Sequence, residues 1–241
     1  MSHGMHFLLT NDDGVDAPGL AALESAVCEF PSVQVTVVAP MSEQSQCGHR
    51  VTTATPLVTE QRGERRFAVE GTPADCVRVA VFGLALDVDW VLSGINQGGN
   101  LGQDIVISGT VAAAREATYH GVKAMSFSHY VKRGWPLDWT RAASWVRGLI
   151  TERMRAPIQA GQFWNFNLPH LEAEAREQPE VVSALPARGP LPVAFVRSPE
   201  EGAEHRTEYL YAGSYADRPR DPGSDVDVCF GGKISMSEIA I

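Results

Sequence analysis

Residues Phe7-Leu8-Leu9-Thr10-Asn11-Asp12-Asp13-Gly14 run from an unbroken apolar stretch into two adjacent carboxylates and a glycine. Phe7 to Thr10 reads as a short buried strand, and Asp16 with Pro18 reads as the start of a helix. Leu20, Leu23, Val27 and Phe30 continue at helical spacing over residues 17 to 30, and the β-branched run Val33 to Ala39 follows. Strand, helix and strand within roughly thirty residues make a βαβ unit with a right-handed crossover. This sets the fold class as α/β, a Rossmann-like and mostly parallel sheet flanked by helices. The Asp pair then falls at the C-terminal edge of the sheet, where open parallel sheets bind ligands. Asp-Asp-Gly is also ordinary turn chemistry, so the pair alone establishes no site.

Beyond Pro40, the polar segment Met41 to Arg50 leaves the second strand at the same edge and can face the Asp pair. Residues 51–70 hold the short alternating pieces Val51-Thr52-Thr53, Leu57-Val58-Thr59 and Phe67-Ala68-Val69, which read as a β-hairpin excursion. Gly71-Thr72-Pro73-Ala74-Asp75 is a helix start, with Thr72 as N-cap, Pro73 at the first helical position and Asp75 completing a capping box. That helix is expected to reach about Leu84. Asp89 to Ser93 is another buried strand, and it enters the Gly- and Asn-rich stretch Gly94 to Gly102, where backbone can approach a ligand closely.

Ser108-Gly109-Thr110 opens the Ala-rich helix Val111 to Tyr119, and such a small-residue helix start is an anion seat of free N–H groups and positive dipole. No Gly-Lys-Ser/Thr ends it, and no G-x-G-x-x-G follows the first strand, which argues against a Walker A loop and a dinucleotide site of the usual kind. Lys123 to Ser128 reads as a strand, Asp138 caps a long helix, and Phe163 to Pro169 alternates as a strand with one apolar face. These elements make residues 1–170 one core. Residues 171–241 change character. An acidic, Pro-rich stretch leads to the strand-like pieces Val193 to Val196, Glu208 to Tyr211 and Lys233 to Met236 without intervening helices. An irregular β-rich C-terminal extension is expected, serving as an oligomerisation arm, with Asp217 to Gly223 as a mobile loop.

A chain of 241 residues with 44% hydrophobic content can build one large core without disulfides. The formal charge of −9 argues against binding a nucleic-acid duplex, while a small phosphorylated ligand stays compatible with it. Met1 to His6 lacks a signal-peptide pattern and no stretch has the length of a membrane span, so a cytoplasmic protein with no membrane partner is expected. The four cysteines (Cys28, Cys47, Cys76, Cys229) show no C-x-x-C spacing and read as free thiols.

Three loops converge on one sheet edge: Asn11-Asp12-Asp13, the segment with Ser45 and the one with Asn96. They offer oxygen ligands, which suit a hard cation such as Mg²⁺ or Mn²⁺. Such a cation beside the Ser108-Gly109-Thr110 anion seat points to phosphoryl chemistry.

The set Asn11-Asp12-Asp13-Gly14, Gly71 to Val77, Ser93 to Gly102 and Ser108-Gly109-Thr110-Val111, in this order, resembles the SurE survival-protein family of metal-dependent 5′/3′-nucleotidases; Asn165 to Pro169 extends the likeness. The resemblance implies a phosphomonoesterase (a phosphoric monoester hydrolase) with one Mg²⁺ or Mn²⁺ per subunit. Its substrates would be nucleoside 5′- and 3′-monophosphates and short polyphosphate, and its assembly a homodimer or homotetramer. It places metal ligands on Asp12, Asp13, Ser45 and Asn96, and phosphate-site residues on Asn11, Asn100, Ser108, Gly109 and Thr110. The chain departs from the family pattern at Met41 and Gln44, where an acidic and a basic residue are usual, and at Cys47 and Arg50.

In the mechanism this implies, Asp12 and Asp13 hold the cation, and one of them orients the attacking water or takes its proton. An aspartyl-phosphate on either Asp is the alternative route. His49 is a candidate donor to the leaving alkoxide. Two rival functions stay open: a nucleotide-binding regulator that keeps the metal site without turnover, and a glycosyltransferase-like enzyme binding a metal–sugar nucleotide.

Overall fold

The structure is a computed structural model, and it describes residues 4–175, 177–198 and 207–241. Met1 to His3, half of the leader reading, lie outside the described residues. In chain order the core elements are β1 (Met5–Thr10), α1 (Pro18–Cys28), β2 (Val33–Pro40), β3 (Thr59–Gly63), β4 (Arg66–Val69), α2 (Pro73–Arg78), β5 (Trp90–Gln97), α3 (Asp104–Ile107), α4 (Gly109–Tyr119), β6 (Lys123–His129), α5 (Trp139–Arg153) and β7 (Gln162–Leu168). The C-terminal elements are β8 (Val181–Ser183), β9 (Phe195–Arg197), β10 (Tyr209–Tyr211), α6 (Asp225–Phe230) and β11 (Ile234–Ala240).

The main sheet has the order β3-β4-β2-β1-β5-β6-β7-β11-β8, and β4 through β7 are mutually parallel. The alternation of β1 explains how helices cover both faces. Phe7 and Leu9 point into one core layer with Leu20, Leu23 and Val27 of α1 and Val146 and Leu149 of α5. Leu8 points into the other, with Val77 of α2 and Val111 and Ala114 of α4. Gly19 lets α1 close on the sheet: a Cβ there would stand 1.9 Å from the Ile95 carbonyl oxygen.

Four sequence expectations are refined or corrected. Asp16 does not start α1, whose N-cap is Ala17 with no side-chain cap, while Pro18 takes the first helical position as expected. The excursion at residues 51–70 holds the expected hairpin, β3 paired antiparallel with β4, but Val51 to Thr53 form no strand and β4 also pairs parallel with β2, so the hairpin extends the main sheet. The capping box at Thr72 and Asp75 is present and the helical segment ends near Leu84 as expected, but only Pro73–Arg78 is α-helical and Val79–Gly83 forms a π-helical turn. The C-terminal extension, finally, is not wholly an arm. Its strand β11 joins the sheet between β7 and β8, because Ile234 and Met236 bury on the core side and the backbone pairs the edge that β7 would otherwise expose. Among the described residues only β9 and β10 stand apart, as a two-stranded antiparallel ribbon.

Candidate active site

Strand β1 leads into the fully buried Asn11, whose Nδ2 donates to the Gly14 carbonyl at 2.8 Å and so shapes the turn that follows. Asp12 is buried too. Its Oδ1 accepts from the Thr110 hydroxyl at 2.5 Å and its Oδ2 from the Thr110 backbone N–H at 3.1 Å. The carboxylate therefore sits against the first turn of α4, where orphan N–H groups and the helix dipole favour negative charge. Burial nevertheless pushes its pKa up to about 6; Thr110 counteracts this, and neighbouring Asp13 adds to it. Asp13 is less enclosed and accepts from the Gln97 backbone N–H at 3.0 Å; burial raises its pKa also, and the Glu43 carboxylate pushes the same way.

The polar segment after β2 docks onto this pair through the Gln44 N–H, which donates to the Asp12 carbonyl at 2.7 Å. Within it the Ser45 hydroxyl donates to Glu43 Oε1 at 2.5 Å. Asn96 belongs to the end of β5 rather than to a loop, and its Nδ2 donates to the Gly98 carbonyl at 2.9 Å. Asn100 is nearly buried: its Nδ2 donates to Ser128 Oγ at 2.8 Å, and its backbone is clasped by the Asn165 and Asn167 side chains.

Asp12, Asp13, Ser45, Asn96, Asn100 and Ser108 all line one cleft of about 1000 Å³ at the C-terminal edge of the sheet. Asn11, Gly109 and Thr110 stand behind it. Thr110 faces Asp12, and the Ser108 hydroxyl caps α4 by accepting from the Val111 N–H at 3.1 Å. Gly109 is where Asp12 and Cys47 crowd the helix: a Cβ there would come within 2.9 Å of both side chains. His49 does not line the cleft. Its Nε2 lies 2.6 Å from Glu116 of α4, a buried carboxylate that also meets Arg78 and His120.

Several lining residues carry no local sequence signal. Glu43 brings a third carboxylate near Asp13, and Trp139 stands at the start of α5. The other wall comes from the C-terminal part, with Phe195, Tyr211, Tyr215 and Arg218. The expected mobile loop at residues 217–223 in fact anchors that wall. Arg218 is buried and donates to Asp104 through both terminal nitrogens, at 2.7 and 2.9 Å, and to the Leu101 carbonyl at 3.2 Å. The Tyr215 hydroxyl donates to the Gly99 carbonyl at 2.9 Å and contacts Asp104 at 3.0 Å.

An Asp pair at a sheet edge, a helix start beside it and an amide-rich loop across from it are the features of one known family, whose model, Survival protein SurE, matches residues 7–188. The chain belongs to the SurE family. It is 45% identical to a putative 5′-nucleotidase of Nostoc sp. over 98% of this chain and 100% of that protein. It is 36% identical to the 5′-nucleotidase SurE of Allorhizobium ampelinum over 98% of this chain and 92% of that one. The crystal structure of the SurE protein from Aquifex aeolicus superposes with a TM-score of 0.83 at 28% identity, covering 98% of this chain and 93% of that chain. The relatives thus extend across the C-terminal wall, beyond the residues that the family model matches.

Proposed function

We propose that this chain is a 5′-nucleotidase, a phosphoric monoester hydrolase that releases phosphate from nucleoside monophosphates with the help of one divalent cation, Mg²⁺ or Mn²⁺. The observation that carries the reading is the convergence of Asp12 and Asp13, both with raised pKa, on a cleft beside the first turn of α4. Two adjacent carboxylates that resist ionisation favour a bound cation, which lowers the cost of holding both charges. Among the described residues no three His, Cys, Asp or Glu side chains cluster as metal ligands. The donor set then joins Asp12 and Asp13 to the neutral oxygens of Ser45 and Asn96, a hard-oxygen set suited to Mg²⁺ or Mn²⁺. A cation so bound supplies charge neutralisation for the phosphate and a more acidic water.

The chain's own residues divide the remaining work. Thr110 and the α4 dipole fix Asp12, which serves as the anchored ligand. Asp13, held through one oxygen by Gln97 and open to the cleft, is placed to orient the attacking water and take its proton. Asn100 and Ser108 are placed to bind phosphate oxygens. The reading extends to nucleoside 3′-monophosphates and short polyphosphate, which the cleft has room to admit. The reading also includes a cytoplasmic location, which the four free cysteines support. A homodimer or homotetramer built through the β9–β10 ribbon completes it, supported by Val196 and Leu210, each 52% exposed.

Phosphate release from AMP with Mg²⁺ or Mn²⁺, with and without EDTA, tests the proposal, with Asp13→Asn as the companion variant. Metal-dependent release lost in the variant is expected. Metal-dependent AMP binding without release would instead make the protein a regulator, and full activity in Asp13→Asn would refute the assignment of that residue.

A further inference from the structure

The cleft has two chemically different ends. Its floor is acidic and polar, whereas the lip formed by Leu191, Pro192, Val193, Phe195 and Tyr211 is apolar and aromatic. Phe195 and Tyr211 are directly paired across the β9–β10 ladder, with ring centroids 5.6 Å apart and the planes at 78°, an edge-to-face pair. The next pair, Val196 with Leu210, points to the opposite side of the ribbon by strand alternation, and neither residue lines the cleft. The ribbon therefore separates an inner aromatic face from an outer aliphatic one.

Phe195 and Tyr211 are each 60% exposed and belong to none of the buried core clusters. Core packing does not account for them. Their position over the floor is fixed by other groups, because the Arg218–Asp104 ion pair and the Tyr215 hydroxyl fasten the following segment to the Gly99–Leu101 stretch. A cleft of about 1000 Å³ is also far larger than a phosphate needs.

We propose that the inner face of this ribbon, Phe195 and Tyr211, is the surface on which the planar base of the substrate packs while its phosphate lies at the Asp12–Asp13 end. The proposal rests on the nucleotidase reading and adds the residues that select nucleotides over smaller phosphomonoesters. The lip side chains from Leu191 to Phe195 that line the cleft carry no hydrogen-bonding group, so the surface recognises a π face and an apolar contour rather than a particular base edge. All four bases satisfy it, because every base offers a π face.

The test compares AMP with ribose 5-phosphate, which has the same reacting phosphate and no base. Phe195→Ala/Tyr211→Ala should lower kcat/KM for AMP, and for the other three nucleoside 5′-monophosphates, by about tenfold to a hundredfold, mostly through KM. Ribose 5-phosphate turnover should stay unchanged, and adenosine should cease to inhibit it. Phe195→Leu, which keeps the apolar volume and removes the ring, should show a smaller loss in the same direction and covers the case in which the double variant fails to fold. Equal losses on both substrates, or no loss on either, overturn the proposal. So does a variant that loses only its association state by sedimentation, which would give the aromatic face to a second copy of the chain. If the unaltered protein hydrolyses neither substrate, the nucleotidase reading falls instead. Equilibrium dialysis with AMP then decides the base surface separately: weaker binding by the double variant supports it, and equal binding refutes it.

Discussion

The Asp104–Arg218 pair offers the sharpest test of how the cleft is built. Arg218 is 4% exposed and Asp104 8%, and the two-point contact joins residues 114 positions apart in the chain. Arg218→Met would leave the Asp104 carboxylate with the Leu101 N–H at 3.3 Å and the Tyr215 hydroxyl at 3.0 Å, whose single proton it shares with the Gly99 carbonyl. Its cost should fall near the low end for an orphaned buried charge, about 3 kcal/mol. Asp104→Leu would strand a guanidinium whose other contacts are the Leu101 carbonyl and the Tyr215 ring 4.1 Å away, so about 4–5 kcal/mol is expected. In the double variant neither charge is left unpaired, and the loss should shrink to about 1–2 kcal/mol.

Urea unfolding at one fixed protein concentration, with unchanged m, gives the four corners of the cycle. The expected coupling is several kcal/mol. Single costs that add to within about 0.5 kcal/mol in the double variant would refute the idea that this pair latches the C-terminal wall. Limited proteolysis supplies an independent reading, since cuts between residues 187 and 218 should accelerate in Arg218→Met before the core of the sheet opens.

Two further predictions concern buried carboxylates that respond to pH in opposite ways. Asp12 has a folded-state pKa near 6 against an ordinary 3.8, so in EDTA-treated protein its ionisation lowers stability progressively as pH rises between those values and fully above them. Asp12→Asn should therefore raise the unfolding free energy of metal-stripped protein at pH 8 by up to about 3 kcal/mol, with little gain near pH 4 and with activity lost; a gain independent of pH would contradict the cause assigned. Glu116 is pushed up by burial, but hydrogen bonds from His49, Arg78 and His120 outweigh this and hold it at about 2 against an ordinary 4.5. It stabilises the fold above pH 4.5 and loses that contribution as pH falls toward 2, so Glu116→Gln should cost roughly 3 kcal/mol at pH 7 and almost nothing near pH 2, read by urea unfolding across pH.

Features encoded locally were legible in the sequence. The apolar run Phe7 to Thr10 gave β1, the spacing of Leu20, Leu23 and Val27 gave α1, and the Thr72–Asp75 capping box stands where its spacing put it. The features that were not legible depend on distant partners. Ile234 to Ala240 has the alternation of any half-buried strand, and nothing in those residues shows that β7, some 70 positions earlier by its register, lacks a neighbour on that side. Arg218 lies among Pro, Asp and Gly, residues that usually mark a surface turn, and only the folded position of Asp104 makes it a buried anchor. For the same reason Phe195 and Tyr211 looked like ordinary strand residues.

The site was legible as a set of residues but not as a set of contacts, and Thr110 shows why. A Ser-Gly-Thr helix start is an anion seat whichever anion occupies it, and the sequence supplies two: the substrate phosphate and the carboxylate of Asp12. The structure commits both Thr110 donors to Asp12 and the Ser108 hydroxyl to the Val111 N–H. A phosphate at this edge then cannot take either Thr110 donor without displacing Asp12, whereas the Ser108 oxygen only accepts from Val111 and keeps its O–H free to donate to it. On the proposed reading, Asp12 and the substrate phosphate would both lie at the α4 terminus with Asn100 across the cleft, so the helix dipole that favours the Asp12 carboxylate would also draw the substrate. Removing the Thr110 hydroxyl would on this account weaken metal binding before it weakened phosphate binding, the reverse of what a direct phosphate contact would give.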